Sequence, residues 1–296
     1  MNRRIYILLI VSMLTSSVFG QFVGKDNLSV SLFYLQKVEL DSAKKYIDLA
    51  VEDEALKDQA KTWYYKGYIY KDLYKTREKT NRLSPLRLTS IEAFKTMLTL
   101  EGKEEFSESA GKILKYEAST IYNDAARMLD DQKYENAIGN YELYRSTMLL
   151  INPEEDLTRR DVKFKLALAS SLNRTAESEK GLDSTQTEQI KALYIEVLTL
   201  DTNNAGANYN LGILYYNEAA DVINNMDYDI DLFKLNEVQD YCTEIFLASL
   251  PYMKKSYDLN YRRKETLVGL SNIYYGLNDM EKSEFYKKEL DDMEKE

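Results

Sequence analysis

Residues 63–70 read WYYKGYIY, Trp63 to Tyr70, five aromatic rings set around one lysine and one glycine. Helical periodicity sorts these side chains into stripes. Trp63, Gly67 and Tyr70 fall at i, i+4 and i+7 and share one side. Glycine in a helix interior costs about 1 kcal/mol relative to alanine, so Gly67 marks a place where a second helix must come close. NYNLGILYYNEA, residues 208–219, repeats the arrangement with Gly212. Tyr65 and Ile69 form a second stripe, suited to a neighbouring helix. Tyr64, Tyr68 and Lys71 form a third, free either to fill gaps or to meet a partner. Trp63, Gly67 and Tyr70 are therefore expected to be structural.

The rest of the chain agrees with a packed helical protein. It has 296 residues, 25 of them tyrosine, with only 11 glycines and three prolines. All-β folds need more Gly and Pro at their turns, and disordered chains carry fewer aromatics. From residue 28 onward apolar residues recur at i, i+3, i+4 and i+7. Amphipathic segments close on Leu98-Thr-Leu-Glu-Gly102, Leu198-Thr-Leu-Asp-Thr202 and Tyr257-Asp-Leu-Asn260, and Met148-Leu-Leu-Ile-Asn-Pro153 closes another with a proline. A new helix begins soon after each, as in stacked helical hairpins.

These residues carry a resemblance. Trp63-x-x-Lys-Gly67-x-x-Tyr70 resembles the first helix of a tetratricopeptide (TPR) repeat. Leu211-Gly212-x-x-Tyr215 matches the same helix, with Asn208 where Trp would stand. Ser90-x-x-x-Phe94-x-x-Met97 and Ser249-x-x-x-Met253-x-x-Ser256 resemble the second helix. The last unit, Leu267–Met293, is the cleanest, with Leu267, Leu270, Ser271 and Tyr274 in the first helix and Ser283 at the usual alanine place. Segments 41–50 and 134–141 read as further second helices. The resemblance implies an all-α, TPR-like helical-hairpin solenoid of about six pairs over residues 21–296. Tyr70 to Phe94 and Tyr215 to Met253 are spaced more widely than a standard repeat allows, so extended helices or inserted loops are expected. Residues 224–231 are expected to form such a loop and a second contact, and Pro251 either to start a helix or to kink one.

By that resemblance, first-helix side chains line a concave groove: Tyr64, Tyr68 and Lys71, then Tyr209, Ile213, Tyr216 and Asn217, then Val268, Asn272 and Tyr275. A tyrosine-lined groove suits a peptide or helix, because the ring offers contact area at low entropy cost together with a hydroxyl. The alternative is a glycan stacked on the same rings.

Residues 1–20 stand apart. Arg3 and Arg4 precede the apolar run Ile5–Leu14, and Val18-Phe19-Gly20 places small residues at the −3 and −1 positions of a cleavage site. This is the layout of a secretory signal peptide. Cleavage is expected between Gly20 and Gln21, giving an exported protein with no integral membrane segment afterwards; with the TPR resemblance this implies a bacterial protein that is periplasmic, elsewhere in the cell envelope or secreted. Cleavage removes two arginines and no acid, taking the net charge from −10 to −12. That sign disfavours nucleic acid and anionic membrane surfaces.

The chain has no histidine, which removes histidine-based acid–base, nucleophile and metal-ligand chemistry. No phosphate-binding or dinucleotide motif is present. Asp227, Asp229 and Asp231 alternate as in a calcium loop but lack its glycine and terminal glutamate. The lone Cys242, in an apolar helical stretch, reads as a small buried hydrophobe. The expectation is a non-catalytic adaptor or scaffold without cofactor or metal, binding a protein or peptide.

Overall fold

The computed structural model describes residues 25–178, 184–227 and 229–295. The expected leader and the Gly20/Gln21 cleavage point lie outside the described residues. Among the described residues the chain forms twelve α-helices and no strand. They are α1 (Asn27–Gln36), α2 (Leu40–Ala50), α3 (Ala60–Leu73), α4 (Pro85–Thr99), α5 (Glu104–Asp130) and α6 (Tyr134–Ile151), followed by α7 (Thr158–Ser178), α8 (Ser184–Leu200), α9 (Ala205–Asn224), α10 (Leu232–Asp258), α11 (Arg263–Gly276) and α12 (Met280–Met293). A π turn, Tyr74–Glu78, extends α3. The fold is all-α, as expected.

Successive helices pair: α1 with α2, α3 with α4, α7 with α8, α9 with α10, and α11 with α12. Tyr122 of α5 meets Tyr141 and Tyr144 of α6, completing the series. Helix starts follow from side-chain caps that satisfy otherwise unpaired N–H groups. Asp26 accepts from Ser29 N at 2.6 Å, Asn204 from Ala207 N at 3.0 Å, and Asp231 from Lys234 N at 2.9 Å. Ser84 caps α4 directly before Pro85, whose missing N–H is harmless in a first turn.

One device recurs in four pairs. Ser90 Oγ donates to the Gly67 carbonyl and Ser249 Oγ to the Gly212 carbonyl, each at 2.7 Å. In the first pair Ser31 donates to the Ala43 carbonyl, and in the last Ser271 and Ser283 bond reciprocally to each other's carbonyls. The linked residues lie 12 apart in α1/α2 and α11/α12, 23 apart in α3/α4 and 37 apart in α9/α10. At the same offsets, one helical turn on, rings stack: Tyr34 on Tyr46, Tyr274 on Tyr286 and Tyr215 on Tyr252. The serine link is thus common to all four pairs and the stacked rings to three of them, and the extra residues fall between the linked positions. In α9/α10 they lengthen both helices, leaving only a short connection at Asn225–Asp231. In α3/α4 they form the π turn and the residues up to Ser84. Pro251 does not start a helix, since α10 runs through it, and its side chain is exposed.

Trp63 is half-buried. Its indole N–H donates to the Lys57 carbonyl at 2.6 Å, in the connection before α3, and Lys66 extends over its ring. Asn208 of α9, at the equivalent position, donates to Thr202, also six residues earlier. The shared task is to satisfy that carbonyl, which explains how an amide replaces an indole.

The chain divides into two compact units. One comprises the described part of Met1–Ala125 with Gly139–Glu155, the other Ala126–Ile138 with Asp156–Glu296. The first has a core of Leu28, Ala43, Ile47, Ile69, Tyr70 and Leu73 among others. The second has two, one around Ile190, Tyr194 and Leu211 and one around Phe246, Met253, Leu267 and Tyr274.

Val38, in the α1–α2 turn, has φ of 61° and is 76% exposed. A β-branched residue there is strained and buries almost nothing in return. Val38→Gly is expected to raise stability by about 1 kcal/mol, read as a higher urea midpoint; a lower midpoint would refute the strain assignment.

Candidate functional site

In the second unit α9 and α11 lie side by side; a Cβ added at Gly269 would meet Ile213 Cδ1 of α9 at an ordinary 3.9 Å, whereas the tight approach there, 2.5 Å, is to Met253 Cε of α10. The adjacency of α9 and α11 brings Ile213, Tyr216 and Asn217 of α9 into one face with Val268, Asn272 and Tyr275 of α11. Asn272 Nδ2 donates to the Tyr216 hydroxyl at 3.2 Å, tying the helices together at the surface. The Tyr216 ring rests near Phe246 at 6.1 Å. Asn217 and Asn272 are exposed, Val268 is 39% exposed and Tyr275 65%. All six side chains are uncharged, on a chain in which 30% of residues carry charge.

Tyr209 does not belong to this face. It is buried at 7% exposure, edge-on to Tyr261 and covered by the Arg262 guanidinium, 5.2 Å from its ring centroid. The connection after α10 covers it, which corrects the expectation that it lines a groove.

In the first unit Tyr64, Tyr68 and Lys71 share a side of α3 that meets α5. Tyr64 stacks on Phe106 with centroids 4.7 Å apart, and its hydroxyl pairs with Ser109 Oγ at 2.9 Å. Tyr68 is half-buried beneath Lys71, whose Nζ stands 3.6 Å from the ring centroid and 3.2 Å from Asp72. Lys71 is 8% exposed. Its charge is held by an aromatic face and a carboxylate. Tyr64 and Lys71 are thus packing residues, a correction to their expected groove-lining role.

The sequence reading did not single out two buried ionic networks. In the first unit Arg87 is 2% exposed and Glu117 is 1% exposed. Arg87 Nε donates to Glu117 Oε2 at 3.1 Å, one terminal nitrogen to Asp124 at 2.7 Å, and the other to the Glu117 carbonyl at 3.1 Å and to Thr120. Glu117 Oε1 has no hydrogen-bond partner. The signal was present: Arg87, Ser90, Phe94 and Met97 follow helical spacing, so a charge sits on the buried stripe of α4. In the second unit Lys191, 3% exposed, pairs with Glu188 and Glu218 and lies 4.5 Å from the Tyr215 ring centroid. Burial pushes the Glu218 carboxyl up, but hydrogen bonds from Lys191 and Tyr241 outweigh it and hold the group below its ordinary range. The hydrogen bond to Glu218 pushes the Tyr241 hydroxyl up to about 12. At neutral pH both partners therefore keep fixed protonation states, suited to holding helices rather than moving protons.

Asp227 accepts from Asp229 N and Asp231 caps α10, so these two carboxylates serve the turn. Among the described residues no group of three or more Cys, Asp or Glu side chains is placed to hold a metal ion. None of the described helices is long and apolar enough to cross a membrane. No protein-family model matches the chain, and no curated protein matches it in sequence.

Proposed function

We propose that the chain is a non-catalytic interaction module, a TPR-like adaptor or scaffold exported to the bacterial cell envelope, that holds a peptide or helix of a partner protein on the α9/α11 face. The observation that carries this is the 65% exposure of the Tyr275 ring beside Asn272 and Val268, in a group of six uncharged side chains. An amphipathic ring flanked by amides provides apolar contact together with hydrogen-bonding groups for a polypeptide backbone. The repeated hairpin packing supports the same reading, because it presents first helices side by side. Export rests on the N-terminal charge and hydropathy pattern.

The test is affinity capture from an envelope extract on the immobilised full chain, with the Asn272→Ala/Tyr275→Ala variant in parallel. Both side chains are exposed, so the variant should keep its far-UV circular dichroism. The expected result is a protein retained by the wild type and bound at least about tenfold more weakly by the variant. Equal retention would remove the face from the proposal. A retained polysaccharide without a specific protein would instead favour glycan stacking on Tyr275.

A further inference from the structure

The packed side of α10 is the stripe Cys242, Phe246, Ser249, Met253 and Ser256. Half a turn around the helix runs a second stripe: Phe233, Glu237, Asp240, Glu244 and Leu247, at i, i+4, i+7, i+11 and i+14. All five are exposed. Phe233 is 74% exposed, its neighbour Leu232 72%, and Leu247 53%. The two apolar ends stand about 21 Å apart along the axis, with three carboxylates between them.

Two properties of this face are unfavourable in the isolated molecule. An open phenylalanine and leucine are left in water. The carboxylates repel one another at i, i+3 and i+4 spacing, and none forms an ion pair. Other helices balance such charges, as Lys44 does with Asp48 and Lys112 with Glu108. A single kind of occupant relieves both. We propose that this face docks a cationic amphipathic helix of a partner protein, with lysine or arginine side chains opposite Glu237, Asp240 and Glu244 and an apolar side chain at each end, on Phe233 and Leu247. A second copy would bring the same carboxylates, and anionic lipid would be repelled. The face lies on the other side of α10 from Phe246, against which Tyr216 rests, so it is separate from the α9/α11 face and independent of the function proposed for that face.

The experiment is fluorescence anisotropy with the full chain and a labelled, alanine-based helical peptide. The peptide carries three lysines at the matching spacing and a leucine beyond each end. Saturable binding that weakens with added salt is expected. Glu237→Gln/Asp240→Asn/Glu244→Gln should weaken it about tenfold, and Phe233→Ser/Leu247→Ser by a similar factor. The amide variant should unfold at the same or a higher temperature than wild type, because repulsion has been removed, so its lost binding could not be ascribed to misfolding. Absence of saturation, equal affinity of the amide variant, or equal binding of a peptide with glutamates in place of the lysines would each overturn the proposal. Self-association in sedimentation that disappears with Phe233→Ser would overturn it in favour of a second copy. Phe233-dependent flotation with phosphatidylcholine vesicles would overturn it in favour of a lipid surface.

Discussion

Replacing Arg87 with methionine is expected to remove about 3–5 kcal/mol of stability from the first unit. The guanidinium, 2% exposed, is the cation that faces Glu117 and Asp124 inside the α4–α5 contact. Asp124 keeps Arg82 at 3.9 Å, but Glu117 would be left with one oxygen already unpartnered and the other newly so. A buried carboxylate in that state must be desolvated without compensation or take up a proton, and either weakens folding. Removing the acid as well should reverse most of the loss, because a buried ion pair replaced by well-packed apolar residues is often close to neutral. Arg87→Met/Glu117→Leu should therefore be more stable than Arg87→Met alone. The single tryptophan, Trp63, lies in the same unit, so its fluorescence through a urea titration reads the relevant transition. A shift of less than about 1 kcal/mol for Arg87→Met, or a double variant no better than the single, would show that the pair does not anchor the α4–α5 contact.

Arg87 also marks the boundary of what the sequence makes legible. Helix positions, their ends and their pairing are local properties, written in spacing. Gly67 with Ser90 and Gly212 with Ser249 could be recognised as equivalent although the distance between partners differs. That Arg87 is buried follows from its place on the stripe of Phe94 and Met97. Its partner does not, because Glu117 is 30 residues away and nothing local ties the two. The candidate site fails for the same reason. Tyr64 and Tyr216 both sit on first-helix sides expected to line the groove. Tyr64 is taken up by Phe106 and Ser109 of α5, whereas Tyr216, equally half-buried, rests near Phe246 of α10 and meets Asn272 of α11 only at its hydroxyl. What a tyrosine meets depends on what the next helix brings, and no pattern within one helix contains that information.

The glycine–serine link supports a prediction whose sign separates packing from propensity. Intrinsic propensity favours alanine over glycine in a helix interior by about 1 kcal/mol, so Gly67→Ala and Gly139→Ala would both stabilise if propensity governed. Around Gly139 of α6 nothing lies within 4 Å of an added Cβ, and stabilisation is expected there. At Gly67 the added Cβ would stand 2.8–2.9 Å from three atoms of the Phe94 ring, whose face rests on the glycine. Phe94 is fully buried and has no room to retreat, so Gly67→Ala is expected to destabilise by about 1–3 kcal/mol. Phe94→Ala alone should lose about 3–5 kcal/mol, because it opens a cavity under α3. Combined, the two changes should lose less than their sum, since the new methyl group enters space the ring has left. Trp63 fluorescence reads all of these variants, which lie in one unit. Additive losses, or a stabilising Gly67→Ala, would mean that α3 and α4 can shift apart at no cost. The equivalent Gly212 then supplies an independent check: an added Cβ there would approach Met253 Cγ and Sδ at 2.7 Å and the Met253 backbone nitrogen at 3.2 Å. A thioether can swing aside where a ring cannot, but the backbone nitrogen cannot. Gly212→Ala should therefore destabilise the second unit in the same direction and by no more than Gly67→Ala destabilises the first.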